Sequence, residues 1–313
     1  MGINGLNRYL KSLNLEGINE IQLSDLSGKK IVIDISIYMY KYKSENKLIE
    51  GMFEMFLLLL CNNITPILVF DGKPPPEKSD VIEYRRNTRK AAEAEYVDTL
   101  KKFENSKIEN NKKAAIQLRN LRRSLVRVNK DDILEVKKLA NIMGITYYES
   151  DGESDIVCAN LVINEGVYAC MSDDMDMFVY GCPRILRYFS LFKKTIVLYD
   201  LSVILKDLNI SFINFKIICV IAGTDYNFES AKNYNFEKSI NIYNKYLTIT
   251  NHYEYLNWLY INNVIDDKKS IIKIIDMFNS NNITINNSNF NNSEFDHKKI
   301  IDYLGGYGYI FVN

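Results

Sequence analysis

The sequence predicts an α/β protein built on a doubly wound, mostly parallel sheet flanked by helices, with a basic helical segment and a helical C-terminal region. Three observations indicate this class. Short apolar runs end at aspartates, helical patterns fill the segments between them, and a long basic stretch free of Gly and Pro spans residues 80–125. Strand–helix alternation is typical of parallel sheets covered on both faces.

Four apolar runs are predicted strands, because they are continuous rather than alternating and therefore suit burial on both faces. They cover residues 31–33, 67–70, 167–171 and 196–199. The first three run into Asp34, Asp71 and the acidic segment 172–176, whereas the fourth ends at an isolated Asp200. Ligands of such sheets bind outside the carboxyl ends of the strands, so functional acids are expected at that edge.

Helical patterns occupy residues 38–61, 131–143 and 153–164, and the last two stop just before a glycine that suits a C-cap. Residues 80–125 are rich in Arg, Lys, Glu and Ala and only weakly amphipathic. This pattern predicts helices that are largely exposed to solvent. Residues 73–130 contain sixteen Lys and Arg and eight Asp and Glu, which gives this segment a local charge of +8.

Composition excludes several classes of protein. The 313 residues are 47% apolar and 25% charged with zero net charge, which fits a globular chain and argues against a uniformly basic binder. Five scattered cysteines without a CxxC pair indicate a reduced intracellular protein, in nucleus or cytoplasm. Two histidines give little support to His-based chemistry. The longest apolar run, 55–61, is too short to span a membrane, so no membrane attachment is expected.

Seven acidic residues recur where strands end or helices begin, and together they predict a metal site. Hard oxygen ligands without His or Cys suit Mg²⁺ or Mn²⁺, and crowded carboxylates need cations to neutralise them. Taken singly, Asp34, Asp225 and Glu153 could be helix-capping or first-turn acids, and Asp71 could belong to a turn. Capping gives no reason for acids to recur at successive strand ends. The predicted ligands are Asp34, Asp71, Glu153, Asp155, Asp174, Asp176 and Asp225.

Several segments carry a resemblance to the flap endonuclease branch of the XPG nuclease family, which has a PIN-like fold. The resemblance is collinear from residue 1 to about residue 225. Its most specific parts are Phe-Asp-Gly-Lys-Pro-Pro at 70–75 and Asp-Met-Asp at 174–176. The other matching segments are 1–3, 32–38, 152–155 and 223–226.

The resemblance implies a structure-specific 5′ nuclease that hydrolyses DNA with two Mg²⁺ ions, for which Mn²⁺ can substitute, and leaves 5′-phosphate ends. It implies that the seven acids hold the ions. Lys78 and Arg85 match the basic residues that reach the scissile phosphate, and residues 77–130 match an arch through which a 5′ strand threads. Tyr40 matches an aromatic that stacks on a base, although core or surface packing is the alternative. Gly2, Arg86 and Arg89 are further expected DNA contacts.

The chain also departs from the family pattern. Residues 227–239, where the family carries a glycine-containing helix–hairpin–helix turn, contain no glycine, so K⁺ binding is not expected and duplex anchoring should be weaker. Residues 307–313 lack a sliding-clamp motif. We therefore expect a monomer whose partner is DNA with a 5′ flap, a nick or a free 5′ end.

The expected organisation is a single nuclease domain over 1–313, with the arch at 77–130 and a degenerate helix–hairpin–helix and C-terminal helical region at 226–313. Three alternatives stay open at this point. The protein could be a weakly active or inactive nucleic-acid-binding scaffold of the same fold, a junction resolvase, or a 5′→3′ exonuclease of the same family.

Overall fold

The computed structural model of the protein describes residues 2–105, 111–227, 233–249, 253–279, 285–286, 290–291 and 293–309, without the side chains of 102–105 and 111–115. These residues form one mixed sheet of eight strands with helices on both faces. The strands are β1 (Ile18–Gln22), β2 (Lys30–Asp34), β3 (Thr65–Phe70), β4 (Thr146–Glu149), β5 (Ala169–Met171), β6 (Arg184–Ser190), β7 (Thr195–Asp200) and β8 (Phe290–Asn291).

The strand order is β1-β7-β6-β5-β2-β3-β4-β8, and the five inner strands from β6 to β4 run parallel. The outer strands β1, β7 and β8 pair antiparallel. From β2 the chain moves outward through β3 and β4 and then returns to the other side of β2 as β5. The order therefore reverses between β2 and β5, and a crevice at their carboxyl ends is the expected ligand position.

Helices cover both faces of the sheet. They are α1 (Leu6–Ser12), α2 (Ile35–Ser44), α3 (Leu48–Cys61), α4 (Ser79–Asn105), α5 (Asn111–Leu125), α6 (Lys130–Ile142), α7 (Ser154–Asn164), α8 (Asp176–Val179), α9 (Leu201–Asp207), α10 (Phe212–Ala222), α11 (Phe236–Thr248), α12 (Tyr255–Ile261), α13 (Lys268–Met277) and α14 (His297–Gly305). In the described part of the chain, no helix is long and apolar enough to cross a membrane.

Two hydrophobic cores lie on opposite faces of the sheet. Alternate residues of β2 divide between them, since Val32 packs with α1, α7 and α10 while Ile31 and Ile33 pack with α2, α3 and α6. A strand with apolar side chains on both faces reads as a continuous apolar run. The predicted α/β fold class, with its mostly parallel sheet, is therefore confirmed.

The four predicted strands are all present, but the run at 196–199 belongs to the antiparallel strand β7. The helix predicted over 38–61 is two helices, because the chain breaks at residues 45–47, where Asn46 has a φ of 56°. Gly51 allows α3 to return close to α2. A Cβ at Gly51 would lie 2.6 Å from Cγ of Tyr42, so a larger residue would push the helices apart.

Helices α4 and α5 pack against each other and present much of their surface to solvent. Tyr84, Val97 and Ile116 are about half exposed, so even apolar side chains of these helices lie at the surface. The prediction of exposed basic helices is confirmed over the described residues.

The aspartate at the end of β7 differs from the acids at the parallel strand ends. Asp200 caps α9, because its Oδ1 accepts hydrogen bonds from the backbone N–H groups of Ser202 at 3.0 Å and Val203 at 3.2 Å. A side-chain cap of this kind typically stabilises a helix by about 1 kcal/mol. Asp200 therefore has a structural role in its own helix.

Replacing Asp200→Ala should lower the free energy of unfolding by about 1 kcal/mol, because two backbone donors lose their acceptor. Urea denaturation measures this change. Asp200→Asn keeps the acceptor oxygen and should retain most of the stability. Equal losses in the two variants would contradict the capping role.

Candidate active site

Three serines orient the acids at the ends of β2 and β3. Asp34 is only 4% exposed, and its two carboxylate oxygens accept hydrogen bonds from the hydroxyls of Ser154 and Ser172, both at 3.1 Å. Asp71 accepts from the Ser36 hydroxyl at 2.6 Å and from the Ser154 backbone N–H at 2.9 Å. Asp34 and Asp71 therefore accept hydrogen bonds from residues of neighbouring elements, and these elements meet at one edge of the sheet.

The loop after β5 brings Asp174 and Asp176 to the same edge. Oδ1 of Asp174 accepts the backbone N–H of Asp176 at 3.0 Å, and the backbone N–H of Asp174 donates to the Ser172 hydroxyl at 3.1 Å. Gly2 lies against both carboxylates with a φ of 81°. A Cβ at Gly2 would lie 2.7 Å from Oδ1 of Asp176 and would also collide with Asp174, so this position has no room for a side chain.

Two basic side chains contact two acids of the cluster. The Lys78 ammonium lies 2.6 Å from Oε1 of Glu153 and 3.9 Å from Oδ2 of Asp225, and the Arg85 guanidinium donates to the same Asp225 oxygen at 2.7 Å. Lys78 ends a short 3₁₀ turn before α4, whereas Arg85 lies within α4. Lys78 and Arg85 therefore lie on different elements, and both cations contact acids of the cluster.

Electrostatic interactions link all seven acids. Burial, followed by the charges of Asp71 and Asp174, raises the pKa of Asp34 to about 7. Burial, followed by the charges of Asp34, Asp174 and Asp176, raises the pKa of Asp155 well above its ordinary value.

Burial also raises the pKa of Asp176 well above its ordinary value, with Asp174, Asp225 and Glu153 adding to the effect while Lys78 opposes it. Such shifts mean that the cluster lacks sufficient positive charge.

The donor set fits hard divalent cations. The acids offer only carboxylate oxygens, and Oδ1 of Asp176 is buried without a hydrogen-bond partner among the described residues. Across the same residues, no group of three or more His, Cys, Asp and Glu side chains is arranged to hold an ion as it stands. Lys78 and Arg85 occupy oxygens of Glu153 and Asp225 instead, so an ion would have to compete with these two cations.

Three of the expected DNA contacts lie on α2 and α4. Tyr40 is 44% exposed on α2, while its neighbours Tyr38 and Tyr42 are buried. Tyr40 is thus the tyrosine of the three whose ring is available to a base. Arg86 is exposed and Arg89 is half-buried, both on α4. Their contacts with DNA stay predictions, as do the metal-binding roles of the acids.

Sequence reasoning missed four residues that hold the acids: Ser36, Ser154, Ser172 and Tyr226. The Tyr226 hydroxyl donates to Oε2 of Glu153 at 3.0 Å. Each of these residues lies within two positions of a predicted ligand in sequence. This adjacency was the available signal, although their hydrogen bonds join residues 35 to 138 positions apart.

Comparison with known proteins places this architecture in a family. Residues 1–92 match the XPG N-terminal domain and residues 144–225 match the XPG I-region. The chain is 31% identical to flap endonuclease 1 of Methanococcus aeolicus, covering 81% of this chain and 82% of that protein. It is also 31% identical to flap endonuclease 1 of Drosophila yakuba, covering 80% of this chain and 66% of that protein. The protein belongs to the XPG nuclease family, in which metal dependence is general.

Solved structures share the fold. The catalytic core of Rad2 in complex with DNA substrate superposes with a TM-score of 0.70 at 21% identity, covering 98% of this chain and 96% of that chain. Flap endonuclease-1 from Methanococcus jannaschii superposes with a TM-score of 0.63 at 24% identity, covering 93% of this chain and 90% of that chain.

Stability without divalent ions should decrease as the pH rises from about 4 to about 7. Asp34 keeps its proton in the folded protein up to about pH 7, whereas the unfolded chain releases it near pH 4. In this window the folded state binds more protons than the unfolded state. The free energy of unfolding therefore falls as the pH rises.

Urea denaturation in EDTA across this pH range measures the effect. The slope of the unfolding free energy against pH counts the protons by which the two states differ. Asp34→Asn should reduce this difference by up to one proton, and saturating Mg²⁺ should reduce it as well. A slope unchanged in Asp34→Asn would show that Asp34 does not carry the raised pKa.

Lys78→Met should destabilise the metal-free protein by about 3 kcal/mol, because it leaves Glu153 without its buried partner. Lys47→Met is the matched control, since its pair with Glu50 is largely exposed and should contribute below about 0.5 kcal/mol. Denaturation in EDTA compares the two variants. Similar losses in both would indicate that Lys78 does not neutralise the acid cluster.

Proposed function

We propose that this protein is a metal-dependent, structure-specific 5′ nuclease that hydrolyses DNA at 5′ flaps and related 5′ ends. One observation carries the proposal. Seven carboxylates gather at the edge where the strand order reverses, and a buried lysine and an arginine from the basic segment reach them. Hydrolysing a phosphodiester requires charge stabilisation on both sides of the phosphorus, and this edge offers ligands for cations together with cationic side chains.

We assign the seven acids as ligands of two Mg²⁺ ions, for which Mn²⁺ can substitute. When bound, such ions generate a hydroxide at neutral pH and neutralise charge on the phosphate. Serine hydroxyls keep Asp34 and Asp71 aimed at the site. Gly2 keeps the space beside Asp174 and Asp176 free of any side chain.

Lys78 and Arg85 are the proposed catalytic cations. Burial by itself lowers the pKa of Lys78, but Glu153 and other negative neighbours raise this pKa by more than burial lowers it. The ammonium therefore remains charged. Ions held by Glu153 and Asp225 would replace Lys78 and Arg85 as partners of these carboxylates, which would leave the two cations available to the scissile phosphate. There they would stabilise the charge that develops as water attacks phosphorus and the bond to the 3′ oxygen breaks.

The DNA path proposed here follows the basic helices. Residues 77–130 include α4 and α5, and form the arch for a 5′ strand in this assignment. Arg86 and Arg89 on α4 would contact phosphates, and Tyr40 would stack on the base next to the cut, a contact worth ~1–3 kcal/mol. The DNA substrate held by the catalytic core of Rad2 supports a nucleic-acid ligand for this fold.

Residues 226–313 are the proposed degenerate helix–hairpin–helix and C-terminal helical region of the single nuclease domain. Helix α11 of this region packs against α10, which precedes it. The glycine-free segment 227–239 lies only partly within the described residues, because 228–232 fall outside them. Expected K⁺ independence and weak duplex anchoring therefore rest on the sequence. The absence of a clamp partner and the monomeric state are also expectations, and residues 310–313 are outside the described chain.

Asp176→Ala and Asp174→Ala should each reduce Mg²⁺-dependent cleavage of a 5′-labelled flap by at least about a thousandfold, since each removes a proposed ligand. Gel analysis of products measures the rate, and circular dichroism checks the fold. Asp200→Ala is the matched control, because this acid caps α9, and it should retain cleavage. Full activity in the two site variants would reject the metal assignment.

A panel of flap, nicked, blunt and four-way DNA substrates should show preferred cleavage of the flap, and the rate should fall with salt because phosphate contacts set the affinity. Comparison at two salt concentrations measures both trends. A preference for the four-way substrate would favour a junction resolvase. Binding of the flap without any Mg²⁺-dependent product would favour an inactive scaffold.

A further inference from the structure

Tyr226 holds one oxygen of Glu153 while Lys78 holds the other. The Tyr226 hydroxyl donates to Oε2 at 3.0 Å, and the Lys78 ammonium pairs with Oε1 at 2.6 Å. The two carboxylate oxygens of this predicted ligand are therefore distinguished by their partners. One partner is a cation that an incoming ion can replace. The other is a neutral hydroxyl, which an incoming cation does not repel.

The direction of the hydrogen bonds follows from the protonation of two tyrosines. Each phenol carries one proton, so each hydroxyl can donate one hydrogen bond. Tyr226 has one proton, and it is donated to Glu153. The contact of 3.4 Å between the two phenol oxygens must then use the proton of Tyr180. Tyr180 donates to Tyr226, and Tyr226 donates to Glu153.

Packing fixes the ring of Tyr226 in this position. Its ring meets the buried ring of Phe278 edge-on, with centroids 5.1 Å apart. The Lys78 ammonium lies 5.0 Å from the centroid of the Tyr226 ring, a cation–π contact. Tyr226 thus contacts both members of the Lys78–Glu153 pair.

We propose that Tyr226 is a positioning residue that keeps Oε2 of Glu153 occupied and leaves Oε1 for the metal, thereby favouring Mg²⁺ over Ca²⁺. The proposal rests on the function proposed above, in which Glu153 binds an ion. Mg²⁺ takes six ligands in a near-ideal octahedron, whereas Ca²⁺ takes six to eight and readily accepts both oxygens of one carboxylate. A hydroxyl that occupies Oε2 opposes the two-oxygen mode that Ca²⁺ can use.

Tyr226→Phe tests this role, because it removes the hydroxyl and keeps the ring with its Phe278 and Lys78 contacts. Isothermal titration of DNA-free protein gives the dissociation constants for Mg²⁺ and Ca²⁺. We expect the ratio of the Ca²⁺ to the Mg²⁺ dissociation constant to fall by about tenfold, the lower end of the effect typical of residues that orient metal ligands. Cleavage rates should show a higher Mg²⁺ requirement with a smaller change at saturating Mg²⁺.

Tyr180→Phe is the matched control. It removes a neighbouring hydroxyl at 3.4 Å from that of Tyr226, but leaves the bond from Tyr226 to Glu153 in place. Its ratio of the two dissociation constants should match that of the unmodified protein. Thermal unfolding in EDTA establishes that all variants are folded before titration.

A purely structural role would weaken Mg²⁺ and Ca²⁺ binding equally in Tyr226→Phe, and an unchanged ratio would overturn the proposal. A Glu153→Gln background provides a second test. There the hydroxyl has no carboxylate to orient, so adding Tyr226→Phe should no longer alter the ratio. If the unmodified protein bound neither ion, the metal function itself would fail, which is a different outcome from an unchanged ratio with ions bound.

Discussion

The mutual repulsion of buried carboxylates is the constraint on which this site depends. Parallel strands on both sides of the reversal point deliver acids to one edge, and burial there raises the pKa of Asp34, Asp155 and Asp176. Such a cluster is stabilised by counter-charge, by hydrogen-bond donors close to its oxygens, or by protonation of some of its acids. The serine hydroxyls at this edge supply such donors, and the glycine at residue 2 keeps space beside Asp174 and Asp176.

The partners are of two kinds, and the difference has a functional consequence. Hydroxyls of Ser36, Ser154 and Ser172 are neutral and fix orientation without cancelling charge. Lys78 and Arg85 cancel charge, and they come from the start of the long basic segment. Divalent ions that bind the acids would take over this neutralising role. The same event would therefore complete the metal site and release two cations for the phosphate, which links ion binding to the position of the basic helices.

The fold and the acids could be predicted largely from sequence, because burial on both faces leaves a continuous apolar run and each run ends at an acid. Strands β2, β3 and β5 carried this signal. Strand β4 did not, since Thr146–Glu149 is short and ends in polar residues, and β1 is half exposed at the sheet edge. The hydrogen bonds that orient the acids could not be predicted. A serine shows no periodic pattern in the sequence, and its partner is known only once the fold brings distant strands together. The break between α2 and α3 at Asn46 was missed for a similar reason, since the return of α3 toward α2 is evident only in the fold, where Gly51 lies against Tyr42.

Anomalous diffraction from crystals soaked in Mn²⁺ tests the central claim most directly. The account predicts two peaks about 3.5–4 Å apart among the seven carboxylates, with the Lys78 ammonium withdrawn from Glu153 and Arg85 withdrawn from Asp225. It is contradicted if Lys78 and Arg85 keep their carboxylate partners at saturating Mn²⁺ and no ion lies between the acids.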